Sequence, residues 1–191
     1  GLDECKTSYY HKSIGGYHPA KMGIYDDLLA YQLGRQNMSV INMLNVKYFI
    51  QEQQGQLAAL RNPGALGNAW FVKGIKWVSG PVEEMKALDT FNPADTAVVD
   101  QKFKAIADGA GPSDSADAIK QVYFNNDTIV YQSSVRNDRV AVFSEIYYKD
   151  WKCYIDGKPT DYFKANYVLR ALKIPAGKHE ISFRFEPAIF Y

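Results

Sequence analysis

The sequence has few cysteines, almost no net charge and no long apolar run. Its 191 residues include two cysteines, Cys5 and Cys153, whose separation fits neither a CxxC pair nor a zinc finger; we expect Cys153 to be a buried core side chain. The 22 Lys and Arg residues offset 21 Asp and Glu residues, so no basic surface for nucleic acid is expected. No apolar run is longer than that at residues 140–143, far short of the roughly 20 residues of a membrane span.

Motifs of cofactor chemistry are also missing. The sequence has no GxSxG and no HExxH motif, and residues 64–67 lack the Lys-Ser/Thr pair of a phosphate-binding loop. Asp26 and Asp27, like Glu83 and Glu84, are neighbours in the chain and point in different directions around a helix. We therefore expect both pairs to lie on solvated faces, and we predict no cofactor. A hydrolase with an unrecognised carboxylate site is the weakest of the three functions that we consider for this chain.

The composition indicates a folded, β-rich protein, because 47% of residues are hydrophobic and 14% are aromatic. Apolar residues at helical spacing within residues 19–35 predict a helix, and Gly34 is expected to form its C-terminal cap. Ser39 is expected to cap a short second helix. The other predictions for this half are a strand over residues 46–50, a polar loop over 51–62, strands over 69–78 and 96–99, and a helix over 81–88.

Residues 107–118 are rich in glycine, proline and serine and predict a loop between two parts of the chain. Tight turns are expected at residues 156–157 and 175–177. The sequence thus predicts an α+β fold in which a mixed α/β, helical N-terminal part, residues 1–106, packs on an antiparallel β-sandwich, residues 119–191. The strands predicted for the sandwich cover residues 119–124, 128–135, 139–146, 151–155, 167–174 and 178–186.

An aromatic segment near the N terminus is the first candidate binding site. Rings with hydrogen-bonding tips suit the faces of sugars, but they also suit a structural turn around the adjacent Gly15 and Gly16, and both readings stay open. The spacing of the histidines and Cys5 matches no zinc site, so we predict no metal. The candidate residues are Tyr9, Tyr10, His11, Tyr17 and His18.

Eight short motifs are spread along nearly the whole chain. In chain order, they are residues 8–18, 42–48, 66–72, 144–148, 151–152, 155–158, 166–171 and 175–179. Taken together, these motifs resemble the extracytoplasmic region of YfhO-type bacterial membrane proteins. The sequence departs from that pattern at Lys149 and Asp150, where the family has Pro-Gly before Trp151.

The resemblance implies a multi-spanning protein whose membrane part is similar to polyprenyl-phosphate-sugar-dependent glycosyltransferases. It places the protein in the bacterial cytoplasmic membrane, with this region on the extracytoplasmic side. It also places the catalytic carboxylate in a loop near the membrane helices, outside these residues. The expected partners are the protein's own transmembrane helices and an envelope saccharide or lipid-linked sugar.

Our leading hypothesis is a non-catalytic extracytoplasmic domain that orients an envelope glycan acceptor or stabilises the membrane glycosyltransferase. The N-terminal aromatic residues are the candidates for a patch that contacts saccharide or docks within the protein, and Trp151 and Arg170 are secondary candidates. The alternative is a structural or protein-interaction module that contacts no glycan, which an exposed aromatic surface favours.

Overall fold

The structure is a computed structural model that describes residues 13–14 and 22–187. The chain is 20% helical and 44% strand, which confirms the predicted α+β class and shows that β-structure predominates. No helix in the described ranges is long and apolar enough to cross a membrane.

The N-terminal half contains four helices and five strands within its described residues. The helices are α1 (Gly23–Tyr31), α2 (Met38–Met43), α3 (Gly80–Ala87) and α4 (Lys104–Ala107), with 3-10 turns at Leu33–Arg35 and Gln101–Phe103. The strands are β1 (Tyr48–Gln53), β2 (Gln56–Arg61), β3 (Ala69–Phe71), β4 (Gly74–Val78) and β5 (Thr96–Asp100).

The ends of the first two helices differ from the prediction. The helical segment that contains α1 ends at Gln36, whose φ of 55° is left-handed, and not at Gly34. Asn37, and not Ser39, caps α2, because its side-chain oxygen accepts hydrogen bonds from the backbone N–H groups of Ser39 (3.0 Å) and Val40 (3.4 Å). Ser39 already lies inside the first turn that Asn37 closes.

The predicted polar loop over residues 51–62 is wrong, since this segment completes a β-hairpin. β1 and β2 pair antiparallel from Tyr48 opposite Arg61 to Gln53 opposite Gln56. Gln54 and Gly55 form the turn with φ values of 52° and 77°, the left-handed pair that a two-residue hairpin turn requires. Gln and Ala are weak strand formers, so the signal for β2 lies in its partner β1 and not in its own residues.

The predicted strand over residues 69–78 is divided between two sheets. The Val72 N–H bonds to the carbonyl of Val140 (3.0 Å), whereas the Lys73 N–H bonds to that of Asp95 (2.7 Å). The chain therefore leaves one sheet and enters another between these residues. β4 pairs in parallel with β5, and α3 lies between these two strands in the chain.

The C-terminal half is a two-sheet sandwich that begins after the loop. The strands predicted over residues 128–135, 139–146 and 151–155 appear with these bounds, and the other three appear with ends shifted by one or two residues. Two further strands of three residues each add to them. The strands are β6 (Ala118–Phe124), β7 (Thr128–Val135), β8 (Arg139–Ile146), β9 (Trp151–Ile155), β10 (Lys158–Thr160), β11 (Phe163–Ala165), β12 (Leu169–Ile174) and β13 (Gly177–Phe185). Together with β3, these strands form two antiparallel sheets. One has five strands in the order β10-β9-β13-β7-β6, and the other has four in the order β11-β12-β8-β3.

The four-stranded sheet is covered on both faces. Ala141 and Phe143 pack in the sandwich core against the five-stranded sheet, whereas Val140 and Val142 pack in a second core with α1, α2 and β5. Every residue of β8 from Arg139 to Phe143 is consequently buried, which replaces the alternation of a half-exposed strand. The molecule is thus a three-layer structure with this sheet in the middle.

Residues 108–117 contain no helix or strand. However, β3 precedes this loop and pairs with β8, so the middle sheet takes strands from both sides of the loop. The division of the chain into two parts, residues 1–106 and 119–191, stays a prediction.

Candidate functional site

Trp151 and Arg170, the two secondary candidates, lie against each other at one end of the sandwich. The guanidinium carbon of Arg170 is 4.0 Å from the centre of the Trp151 ring and 5.2 Å from that of Phe183. The Arg170 Nε donates a hydrogen bond to the carbonyl of Ile146 (3.0 Å). Only 2% of Arg170 is exposed, so its guanidinium is a core group beneath Trp151 and not an open ligand contact.

Burial dominates the electrostatics around Arg170. It lowers the pKa of the guanidinium, and the nearby charge of Glu145 opposes that shift. Burial also raises the pKa values of the Tyr162 hydroxyl and the Cys153 thiol to about 12, so both are neutral at pH 7. Cys153 is a free, buried cysteine, as predicted, and a neutral buried thiol is a poor nucleophile.

An aromatic rim, consisting of Tyr148, Trp151 and Phe185, surrounds the open end of this cluster. The rings of Tyr148 and Phe185 stack with their centres 6.3 Å apart and their planes 27° apart, and the centre of the Trp151 ring is 5.6 Å from that of Phe185. Tyr148 and Phe185 are exposed. The rim therefore presents flat apolar surfaces, which pack on sugar C–H groups or on apolar side chains of a partner.

The departure from the family pattern at Lys149 and Asp150 lies in the turn that carries this rim. The Trp151 N–H bonds to the carbonyl of Tyr148 (3.2 Å), and the Tyr162 hydroxyl lies 3.1 Å from the carbonyls of both Tyr148 and Trp151. Neither Lys149 nor Asp150 has a positive φ. The turn thus closes without the proline and glycine of the family.

The N-terminal aromatic segment lies outside the described residues, so its binding prediction stays a prediction. Cys5 is also outside them. The residues concerned are Tyr9, Tyr10, His11, Tyr17 and His18.

The prediction that Glu84 lies on a solvated face is wrong. Its exposed fraction is 0%, and its carboxylate lies 2.5 Å from the Lys164 Nζ and accepts the N–H of Tyr167 (3.0 Å). Burial raises the pKa of Glu84, while Lys164 opposes the shift. Glu84 is buried because α3 packs against the turn between β11 and β12. Asp26 and Asp27 are exposed, as expected.

Asn166 and Tyr167 form that turn, and both are left-handed, with φ values of 50° and 72°. The Asn166 side-chain oxygen accepts the N–H of Val98, and the Asn166 N–H donates to the Val98 carbonyl, each at 2.8 Å. The Tyr167 hydroxyl donates to Asp27 (3.0 Å). A left-handed tyrosine is unusual, and these tertiary bonds hold it in place. The asparagine was the one local signal for this turn.

Two stretches that carry the resemblance meet at the other end of β9 and β13. Asp156 and Gly157 form the predicted tight turn with φ values of 50° and 76°. The Asp156 carboxylate lies 2.7 Å from the His179 Nδ1 and accepts the N–H of Glu180 (2.9 Å). The hydrogen bond between the two side chains raises the pKa of His179 and lowers that of Asp156.

Three further stretches of the resemblance converge on β8. The Ser144 hydroxyl lies within hydrogen-bond distance of the carbonyls of Met43 (2.7 Å) and Gly67 (2.8 Å). The Asn45 side chain donates to that of Asn68 (2.7 Å). These motif residues hold the N-terminal part onto the middle sheet, so their spacing reflects packing. Within the ranges that the structure describes, no group of three His, Cys, Asp or Glu side chains is placed to hold a metal ion.

No curated protein and no solved structure matches the chain. Residues 112–191 match the family model described as bacterial membrane protein YfhO, which confirms the predicted resemblance for the motifs in this part of the chain.

Proposed function

We propose that this chain is a non-catalytic extracytoplasmic domain of a multi-spanning bacterial membrane protein, and that it orients an envelope glycan acceptor. The protein's membrane part would resemble polyprenyl-phosphate-sugar-dependent glycosyltransferases and would carry the catalytic carboxylate. The observation that supports membrane association is the match of residues 112–191 to a family of bacterial membrane proteins. The glycan-orienting role is our inference from the chemistry of the aromatic rim.

The two buried charged groups with shifted pKa values, Glu84 and Arg170, support a non-catalytic role. Glu84, whose pKa is raised, is fully buried and paired with Lys164, so no water or substrate reaches it in this structure. Arg170 is sealed beneath Trp151. A general acid or base has to contact the proton that it transfers, and neither group offers that access. Both serve the packing of the sandwich and its neighbours.

The aromatic rim is the part of the described chain best suited to a saccharide. Tyr148 and Phe185 are exposed and stack on each other, and the Arg170 guanidinium packs on the ring of Trp151. Sugar rings pack their apolar C–H faces on such surfaces and leave their hydroxyl groups in water. A rigid rim of this kind fits weak binding that positions a polymer, which is the task of an acceptor-orienting domain.

Saturation-transfer NMR on the full chain tests this proposal. The ligands are N-acetylhexosamine and neutral hexose oligosaccharides at millimolar concentration. We expect transfer that decreases at least threefold in Tyr148→Ala and Phe185→Ala, because each variant removes an exposed ring face. Tyr31→Ala, which removes an exposed tyrosine from α1, is the matched control and should leave the transfer unchanged.

Tyr17→Ala and His18→Ala test the N-terminal candidates in the same way. If no ligand receives transfer, or if every variant retains it, the chain does not bind these glycans directly.

The second candidate function is a structural or interaction module without glycan contact. The burial of Arg170 and the packing contacts of the motif residues favour it, since these features are explained without any ligand. Its expected partner is the protein's own transmembrane part. Absence of saccharide transfer together with cysteine cross-linking between Tyr148→Cys and those helices in the full-length protein would support this second function.

A further inference from the structure

One face of the β1–β2 hairpin is apolar and uncovered. The pairs Tyr48–Arg61, Ile50–Ala59 and Glu52–Leu57 share this face because residues directly opposite in antiparallel strands point the same way. Tyr48, Ile50 and Leu57 are 58%, 50% and 77% exposed. We name these six residues the outer hairpin face.

The opposite face of the hairpin behaves differently. Phe49, which points that way, is half-buried and packs against the core formed with α1 and α2. Within the part of the chain that the structure describes, the hairpin therefore contacts the core through the face of Phe49. A two-stranded sheet is marginally stable by itself, so an uncovered apolar face on it is a feature that needs a partner.

Charges of opposite sign lie at the two ends of the outer hairpin face. Arg61 lies at the base beside Tyr48, and Glu52 lies near the tip beside Leu57. Four residues of strand, or about 13 Å, separate these positions, which is too far for the two side chains to pair within one hairpin. Neither side chain forms an ion pair in the described part of the chain.

We propose that the outer hairpin face binds the same face of a second copy of this chain. With the two hairpins antiparallel about a two-fold axis near Ile50 and Ala59, the base of each copy lies over the tip of the other. The axis runs across the strands, so each strand lies over the same strand of the second copy, and the base pair of Tyr48 and Arg61 covers the tip pair of Glu52 and Leu57. Arg61 then lies diagonally opposite Glu52 of the second copy, within reach of its long side chain, and Tyr48 lies diagonally opposite Leu57. The apolar centre packs on itself. This self-complementarity is what a two-fold interface requires.

The charge pattern favours a second copy over a lipid surface. A hairpin that enters a membrane interface carries its apolar residues at the tip and basic residues beside it. Here Leu57 near the tip is surrounded by Glu52, Gln54 and Gln56, which are acidic or polar and exposed, and residues 48–60 contain no Lys or Arg. The contact is small, so the expected dimer is weak, with a dissociation constant on the order of 100 µM. Anchoring two copies in one membrane would raise their effective concentration.

Sedimentation velocity of the full chain over a range of concentrations tests the proposal. The wild-type chain should shift towards twice the monomer mass as its concentration rises. Glu52→Arg and Arg61→Glu should each weaken self-association at least tenfold, because like charges then face each other. The double variant Glu52→Arg/Arg61→Glu restores opposite charges and the wild-type net charge, so it should restore self-association.

Leu57→Gln should also weaken self-association, whereas Val82→Gln, at an exposed valine on α3, is the matched control. Circular dichroism confirms that each variant is folded, which is expected because Leu57 is largely exposed. A wild-type chain that stays monomeric overturns the proposal. A dimer that is insensitive to these variants, or that the double charge exchange does not restore, overturns it as well. So does a monomer that binds anionic lipid vesicles through Leu57.

Discussion

At the scale of single residues, the charged groups that matter most are inside the molecule. Glu84 joins α3 to the turn between β11 and β12, and Arg170 fills the end of the sandwich beneath Trp151. Each is tied to backbone groups as well as to a side chain. Burying such charges costs desolvation free energy, and the interactions with their partners offset that cost only when all the partners are present.

Removing Lys164 should therefore be strongly destabilising. Lys164→Met leaves the buried Glu84 carboxylate without its counter-ion, and we expect the free energy of unfolding to fall by about 3–5 kcal/mol in urea denaturation. Glu84→Gln/Lys164→Met should recover much of this loss, because no unpaired charge remains. Lys73→Met is the control: its pair with Asp95 is exposed, so it should cost at most about 1 kcal/mol. Equal losses in both single variants would contradict the buried pair.

At the scale of elements, turns decide how the strands follow one another. The Asp156-Gly157 turn joins β9 to β10, and its left-handed pair was predictable because Asp-Gly is a preferred sequence for such hairpin turns. The turn between β11 and β12 also has two left-handed residues, but Asn166-Tyr167 is no such signal. There the bonds to Val98 and Glu84 impose the conformation.

Gly157→Ala tests the turn between β9 and β10. Gly157 has a φ of 76° with open space around its Cα, so a methyl group meets no neighbour and the cost is conformational. We expect a loss of about 1 kcal/mol in the free energy of unfolding. Gly74→Ala, at an equally open strand glycine without a positive φ, is the matched control and should be neutral or stabilising. If the two variants behave alike, the turn does not need its left-handed glycine.

The Asp156–His179 pair should make stability depend on pH. His179 has a raised pKa, so its contribution is present below its ordinary value of 6.5 and is lost as the pH rises through the higher folded value. Asp156 has a lowered pKa, so its contribution is lost as the pH falls below 3.8 and through the lower folded value. The pair therefore stabilises the fold most between these limits.

Melting temperatures from pH 5 to pH 9 measure this effect. We expect the wild-type melting temperature to fall more between pH 6.5 and pH 8.5 than that of Asp156→Asn, which removes the charge that holds the proton on His179. An NMR titration should show a lower pKa for His179 in the variant. Parallel melting curves for the two proteins would show that the pair has no effect.

At the scale of the whole molecule, the middle sheet joins the three layers. Val142 and Phe143 are adjacent residues of β8, yet they belong to two different cores. The sheet also takes β3 from the N-terminal half. A substitution in either core therefore affects the packing of the sheet that both outer layers share.

The family match covers residues 112–191, but we expect a fragment of these residues not to fold alone. It would lack β3, which pairs with β8, and the helices that cover Val140 and Val142. An uncovered apolar sheet face favours aggregation. The fragment should be insoluble or lack cooperative unfolding in circular dichroism, whereas the full chain should unfold in one transition. A soluble, cooperatively folding fragment would mean that the sandwich is an independent domain.

Features that depend on local patterns were predictable from the amino-acid sequence. Alternating apolar and charged residues predicted the last strand of the sandwich, Asp156 and Gly157 predicted their turn, and the apolar neighbours Trp151 and Ile155 on the same strand face predicted the burial of Cys153. The ordered motifs predicted the YfhO resemblance without the structure. Each of these signals is contained in a few neighbouring residues, so no knowledge of distant contacts was needed.

Which distant groups are in contact depends on the three-dimensional packing of the elements. The burial of Glu84 depends on Lys164, 80 positions away, and the contact of Trp151 with Arg170 depends on the docking of two sheets. The second strand of the hairpin is weak on its own and forms because β1 pairs with it. Burial and pairing are properties of both partners together, and a pattern read along one segment contains only one of them.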